Sequence, residues 1–367
     1  MSQYDQQLLA LRQQIDGLDQ QIEQLINDRA KAAQQVAEVK TQASAETGED
    51  LVFYRPEREA QVLSRIMERN TGPLSNEDMA KLFRQIMSAC LALEQPLTVA
   101  YLGPEGTFTQ QAVIKHFGQW ARTKPMAAID EVFREVEAGA VHYGVVPVEN
   151  STEGVVNHTL DSFLNTNLHI CGEVELRIHH HLMIGSNTRA NKISRIYSHQ
   201  QSFAQCRKWL DLNYPNAERV PVASNAEAAK MVQSEWNSAA IAGYMAAELY
   251  DLTLIHERIE DRPDNSTRFL IISRTPVPPS GRDKSSIIVQ LRNEPGALYH
   301  LLKPFAEHQV DMTRLETRPS PNGSWAYVFF IDFAGHFNDE HVQACMADVR
   351  KFAVAVQELG SYPKAVL

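Results

Sequence analysis

The chain has 367 residues, of which 44% are hydrophobic and 22% charged, and a formal net charge of -10. That length suits two or three ordinary domains rather than a single core. A mean hydropathy of -0.32, with no apolar run approaching the ~18–20 residues of a membrane span, excludes a membrane protein, and a pI near 5.7 argues against a nucleic-acid partner, which needs a basic stripe.

Met1 to Leu9 lacks the basic-then-apolar order of an export signal. Cys90, Cys171, Cys206 and Cys345 are scattered without CxxC spacing or adjacent histidines, so neither a metal site nor a disulfide framework is expected. A cytoplasmic location follows as the expectation.

Residues 5 to 95 read as helical, because Gly and Pro are nearly absent from long periodic stretches. The first helix places Leu8, Leu11, Ile15, Leu18, Ile22 and Leu25 in steps of three and four and continues through Ala32, Val36 and Val39. This is a seam for packing against other helices. Gly48 and Asp50 mark a break, and Pro56 suits the first position of a second helix running to about Asn70. Ser75, with Asp78 three residues later, caps a third helix that ends near Gln95 and Pro96.

From Leu97 short β-rich runs alternate with helices, which predicts an α/β domain with mainly parallel strands. The runs include 98–102, 143–148, 193–197, 239–242 and 268–272. The Pro, Ser and Gly between Thr275 and Gly281 read as a linker. Beyond it, strands and helices follow in the order βαββαβ, the ferredoxin-like arrangement. The expected modules span 1–95, 97–274 and 285–367.

One position breaks the first seam. Arg29 falls where the spacing calls for a hydrophobe, and alone it reads as a paired or surface cation. Lys40 changes that reading, since eleven residues at ~100° return to within ~20° of the same face, ~16 Å along the axis. Two long cations can lean over a small dianion in that gap. Arg12 lies ~42 Å from Lys40 on the same helix and reaches such a ligand only from an antiparallel partner helix, which implies an intertwined dimer if it takes part.

The segments ALRQQI (10–15), LINDR (25–29), VAEVK (36–40), Arg58-Glu59 and LFRQIMSACLALE (82–94) resemble the all-helical, three-helix chorismate mutases. The resemblance implies that Arg12, Arg29, Lys40 and Arg58 bind the carboxylates and ether oxygen of chorismate and that Glu59 binds its hydroxyl. Cys90 and Glu94 stand where some members carry Ser and Gln, and Arg55 where some carry Asp. A carboxyl donates to the ether oxygen only when protonated, so a catalytic Glu94 implies mutase activity that declines as pH rises. The rearrangement is pericyclic and needs no cofactor and no metal, only the folded conformer and charge stabilisation at the ether oxygen.

Four motifs mark the α/β region. GPEGTFT (103–109) follows a strand and opens a helix, offering free N–H groups to an anion, but it is neither GxGxxG nor a Walker loop, and a nicotinamide enzyme is disfavoured. ENSTEG (149–154) and SHQQSF (198–203) both lie at carboxyl ends of strands, and NSTRF (265–269) precedes another. Each alone is an ordinary cap or polar turn. Together they resemble the prephenate dehydratases, whose two-lobed fold is like that of periplasmic binding proteins. The resemblance implicates Asn150, Gln201 and Thr267 in catalysis, Ser151, Thr152, Ser198 and His199 in binding prephenate, and Arg268 in holding a carboxylate. Thr267 is the implied proton donor, with a relay from Glu149 or His199 left open. His179, His180 and His181 alternate in direction if extended, so a structural role is preferred over a metal site.

NEPGAL (293–298) and ETRP (316–319) resemble the ACT domain, which implies L-phenylalanine as effector, bound by Asn293, Pro295, Gly296, Ala297, Leu298 and Glu316 at a homodimer interface. Pairing of dimers into tetramers stays open. The alternatives are a ligand-binding regulator with an ACT sensor, or a dehydratase whose mutase module is inactive.

Overall fold

The computed structural model describes residues 2–48, 52–319 and 327–366. Helix α1 (Gln3–Thr47) opens with a capping box in which Ser2 and Asp5 satisfy each other's backbone N–H, and it ends at Gly48 in the left-handed region. At 1.5 Å per residue it is ~67 Å long. None of its residues is buried, and Leu11, Ile15, Leu18, Ile22 and Leu25 all face outward. Helix α2 (Pro56–Arg69) starts on its proline. Helix α3 (Asn76–Glu94) starts at Ser75, whose Oγ accepts the Asp78 N–H at 3.1 Å, and it packs against both α1 and α2.

The middle module begins with β1 (Thr98–Leu102), α4 (Phe108–Phe117), β2 (Arg122–Met126), α5 (Ile129–Glu137), β3 (Tyr143–Asn150), β4 (Gly154–Val155), α6 (Asn157–Phe163) and β5 (His169–Arg177). It continues with β6 (His181–Ile184), β7 (Arg195–Ser198), α7 (Gln200–Gln205), α8 (Arg207–Asn213), β8 (Glu218–Pro221), α9 (Asn225–Val232), β9 (Ser238–Ala242), α10 (Tyr244–Leu249), β10 (Thr253–His256) and β11 (Ser266–Ser273). Two sheets result, ordered β2-β1-β3-β11-β5 and β10-β6-β9-β7-β8, one per lobe. The chain crosses between lobes twice, outward through 178–180 and back through 257–265.

The expectation of mainly parallel strands needs correction. β11 runs antiparallel to both β3 and β5, and β6 antiparallel to both β9 and β10. The reason is topological: β3 ends at the cleft, whereas β11 re-enters the first lobe there and runs away from it, so Thr267 at its start pairs with Asn150 at the end of β3.

The last module comprises β12 (Asp283–Gln290), α11 (Ala297–Glu307), β13 (Met312–Pro319), β14 (Tyr327–Ala334), α12 (Glu340–Phe352) and β15 (Ala355–Pro363), in sheet order β13-β14-β12-β15. This is the βαββαβ order read from the sequence. Strand alternation divides its residues. Ile287, Val289 and Phe333 bury against Leu301 and Phe305 of α11. Ile288, Val328, Phe330 and Tyr362 on the other face join the core of the first lobe around Phe133, Phe163 and Leu270.

The helical module is also docked. Tyr54 packs with Phe117 and Tyr143, and its hydroxyl lies 3.1 Å from His116 Nε2. Arg84 donates to Lys115 O at 3.0 Å and Ser88 to Phe117 O at 2.6 Å.

Candidate functional sites

Between the two lobes lies a cleft of about 460 Å³ whose wall includes Phe108, Asn150, His180, His199, Gln201 and Thr267. Asn150 Nδ2 donates to Thr267 Oγ1 at 2.7 Å and to Asn265 Oδ1 at 2.9 Å. Its Oδ1 accepts from the Thr152 hydroxyl at 2.6 Å and from the N–H groups of Thr152 and Glu153, both at 3.0 Å. The amide is fixed at both ends. Because the Thr267 oxygen accepts from Asn150, its own proton is free for a ligand.

His199 caps α7, its Nδ1 accepting the Gln201 N–H at 3.3 Å, which puts any proton of the neutral ring on Nε2. The turn that carries His199 and Gln201 is tied down by Asn225, whose Oδ1 accepts from His199 N at 3.0 Å and Ser202 Oγ at 3.1 Å.

Four residues expected at the substrate lie elsewhere. Arg268 follows Thr267 on a strand and so faces the opposite side. Its guanidinium bonds Glu173 at 2.9 Å, Asp332 at 2.6 Å and the Tyr362 hydroxyl at 3.0 Å, and Lys284 joins Glu173 at 3.0 Å, so Arg268 bridges to the last module instead of holding a carboxylate in the cleft. Ser198 is fully buried, its Oγ 3.0 Å from Ile241 O and 2.9 Å from Asn225 Oδ1, with no access to a ligand. Ser151 Oγ, outside the cleft wall, accepts the Ser266 N–H at 2.9 Å and closes the cleft end of the β3–β11 ladder. Glu149, by the same alternation, turns from Asn150's side to Arg314, 3.1 Å from its Nε, which removes it as a relay to Thr267.

His180, Gln205 and Asn265 also line the cleft, and none was singled out from the sequence as a site residue. His180 was set aside with its neighbours as structural. Asn265 opens the NSTRF motif and gave a signal that went unused. Gln205 carries no local pattern that would have revealed it.

In the helical module, Arg29, Lys40 and Glu94 come together. Burial raises the Glu94 carboxyl above its ordinary range, opposed by the charges of Lys40 and Arg29. Burial likewise lowers the Lys40 ammonium, opposed by Glu94. Lys40 Nζ donates to Val52 O at 3.2 Å and Phe53 O at 3.1 Å, so it also fastens the segment entering α2. Cys90 is buried one turn before Glu94 on α3. Arg58 is exposed on α2, and Arg12 lies exposed on the far half of α1.

Glu59 departs from its expected place. It turns into the junction with the middle module, where Arg84 Nε donates to it at 3.1 Å. Burial pushes its carboxyl up, and Arg84 opposes that shift.

In the last module, residues 293–298 form an exposed turn with Gly296 at φ 83°, capping α11. Glu316 sits on β13, 3.8 Å from Arg314 on the side facing the middle module. No bond joins Glu316 to that turn among the described residues.

The comparisons with known proteins agree with this division. The prephenate dehydratase pattern matches residues 99–277, chorismate mutase type II matches 11–95, and the ACT domain matches 285–350. The bifunctional chorismate mutase/prephenate dehydratase of Pseudomonas aeruginosa is 66% identical over 361 residues, covering 98% of this chain and 99% of its own. The Aquifex aeolicus protein of the same name is 40% identical, with 99% of both chains covered. A prephenate dehydratase from Arthrobacter aurescens, solved in complex with L-Phe, matches 73% of this chain and 90% of its own at 34% identity and a TM-score of 0.68. This chain belongs to the bifunctional chorismate mutase/prephenate dehydratases, an isomerase and a lyase joined to an ACT domain.

Proposed function

We propose that Thr267 donates the proton in the dehydratase step, oriented by Asn150, with Gln201 and His199 on the facing lobe. The carrying observation is the 2.7 Å bond from Asn150 Nδ2 to Thr267 Oγ1 at the cleft wall. Prephenate loses its ring carboxylate as CO2, and the electrons of that C–C bond complete the aromatic ring. The C4–O bond breaks, the departing hydroxyl takes the Thr267 proton and leaves as water, and phenylpyruvate remains. A threonine hydroxyl is a weak acid, so its proton must be restored in step, and His199, which lines the same cleft with its Nε2 unengaged, supplies it in this reading. Thr267→Val should lower dehydratase kcat by ~10²–10⁴ and leave mutase turnover unchanged. Near-full dehydratase turnover in that variant would remove Thr267 from the mechanism.

In the helical module Arg29, Lys40, Arg58 and Glu94 surround chorismate, with Arg12 supplied by a second copy. The exposed apolar seam of α1 supports a homodimer, since such a row on a helix of this length needs a partner. The four cysteines are free and buried, which suits a reducing cytoplasm. L-Phenylalanine, bound at the 293–298 turn of one copy and against a second copy, lowers dehydratase activity through the charged contacts between the ACT module and the first lobe. Reciprocity requires prephenate analogues to weaken phenylalanine binding, which isothermal titration measures.

A further inference from the structure

The hydrogen bonds behind Asn150 form a network that reaches two residues outside the motifs, Gln205 and His180. His180 Nε2 lies 2.8 Å from Gln205 Oε1, and Asn265 Nδ2 donates to the same oxygen at 3.1 Å. Gln205 Nε2 in turn donates to Thr152 Oγ1 at 3.3 Å and to Glu153 Oε1 at 3.2 Å. Asn265 Oδ1 accepts from Asn150, which donates to Thr267.

The direction of each bond is forced. A carbonyl oxygen only accepts, so the neutral His180 ring carries its proton on Nε2. Burial holds that ring below its ordinary pKa, which keeps it neutral. Two backbone N–H groups fix the Asn150 oxygen, so its Nδ2 meets Asn265 Oδ1, Asn265 Nδ2 meets Gln205 Oε1, and a flipped Gln205 amide would set a donor against that donor and an oxygen against the Glu153 carboxylate. The Asn265 amide is likewise committed, and it is 2% exposed. Asn150 also donates to Thr267, and this leaves the threonine proton unspent.

The placement of the members is equally specific. His180 lies on the outward crossover between lobes and Asn265 on the return crossover, while Thr152 and Glu153 belong to the first lobe. Gln205 stands on α7 of the second lobe and bonds all four. Gln205 therefore ties Thr152 and Asn265, the two side-chain partners of Asn150 other than Thr267, to the second lobe.

We propose that Gln205 is a positioning residue of the dehydratase, which joins the two lobes to both crossovers and aligns Asn150 so that Thr267 presents its proton to the cleft. This rests on the reading of Thr267 as the donor. Gln205 itself acts through Asn265 and Asn150.

The test uses the full chain, with mutase turnover measured in the same sample as a check on folding. Gln205→Met removes both the acceptor and the donor, and should lower dehydratase kcat by ~10²-fold with a much smaller change in KM. Gln205→Glu retains the acceptor, and when protonated its O–H replaces the lost N–H toward Thr152 and Glu153. Its kcat should approach that of the parent at acid pH and fall as the carboxyl ionises, a slope absent from the parent. His180, Glu153, Glu260 and Asp261 surround this position and set where the slope falls, while Arg207, Lys208 and Arg262 line the adjoining cavity. Combining Gln205→Met with Thr267→Val should cost no more than Thr267→Val alone.

A Gln205→Met enzyme within twofold of the parent overturns the proposal, and so does additivity in the double variant. If Gln205→Met also loses mutase turnover, Gln205→Glu decides, since a flat pH profile there means that Gln205 only holds the fold. Unimpaired turnover in Thr267→Val alone would instead defeat the donor assignment, independently of the Gln205 variants.

Discussion

The two catalytic regions of this chain are built by opposite means. The dehydratase cleft is assembled by topology: two adjacent strands, β3 and β11, meet at their cleft ends and set Asn150 against Thr267 within one chain. In the helical module Arg29, Lys40 and Glu94 come within charge interaction of one another, while Arg12 stands ~42 Å from Lys40 along a helix that buries none of its residues. A sheet places distant residues together by itself, whereas a lone long helix holds its own ends apart.

The strongest test of that contrast breaks the seam. Ile15→Asp combined with Ile22→Asp should dissociate the helical pairing, seen by analytical ultracentrifugation as a change in assembly, and lower mutase turnover by ~10³ or more through loss of the partner's cation. Dehydratase turnover should persist. Retained mutase activity would show that one chain completes the pocket.

Next in size is Lys40→Met, which removes a cation from the mutase pocket and frees the carbonyls of Val52 and Phe53. Mutase kcat/KM should fall by ~10²–10³, with the dehydratase unchanged in the same assay tube.

Arg268→Met probes the correction at the dehydratase site. It leaves Glu173 and Asp332, both largely buried, short of a cation, and should destabilise ACT docking by ~3–5 kcal/mol in denaturant melts. Prephenate KM should move little. A KM increase of ~10²-fold with unchanged stability would return Arg268 to the cleft.

The smallest effect is a change of slope. A raised Glu94 pKa keeps its carboxyl protonated, and able to donate, to higher pH than an ordinary glutamate. Mutase turnover should then decline as pH rises through that pKa, and Glu94→Gln, which donates at any pH, should flatten the profile. An unchanged profile would take Glu94 out of the mechanism.

Much of this was legible in the sequence, because helix periodicity, caps and the βαββαβ order are local signals. The long helix, its end at Gly48 and the start at Pro56 depend on nothing distant. The pairing of β11 with β3 was not legible, since it depends on a return from the second lobe some 120 residues later. Arg268 is a different case: adjacent strand residues face apart, and the same rule that separated the three histidines already placed Arg268 opposite Thr267. Gln205 and Asn225 stayed hidden because their importance lies in bonds to residues remote in sequence.

The alternation on β3 and β11 has one more consequence. Asn150 and Thr267 face the cleft while their immediate neighbours Glu149 and Arg268 grip the ACT module, so the two faces of one ribbon serve the cleft and the module contact. A one-residue slip of register at this end of either strand would exchange them, putting a charge on the cleft face and an amide or hydroxyl on the face that docks the ACT module.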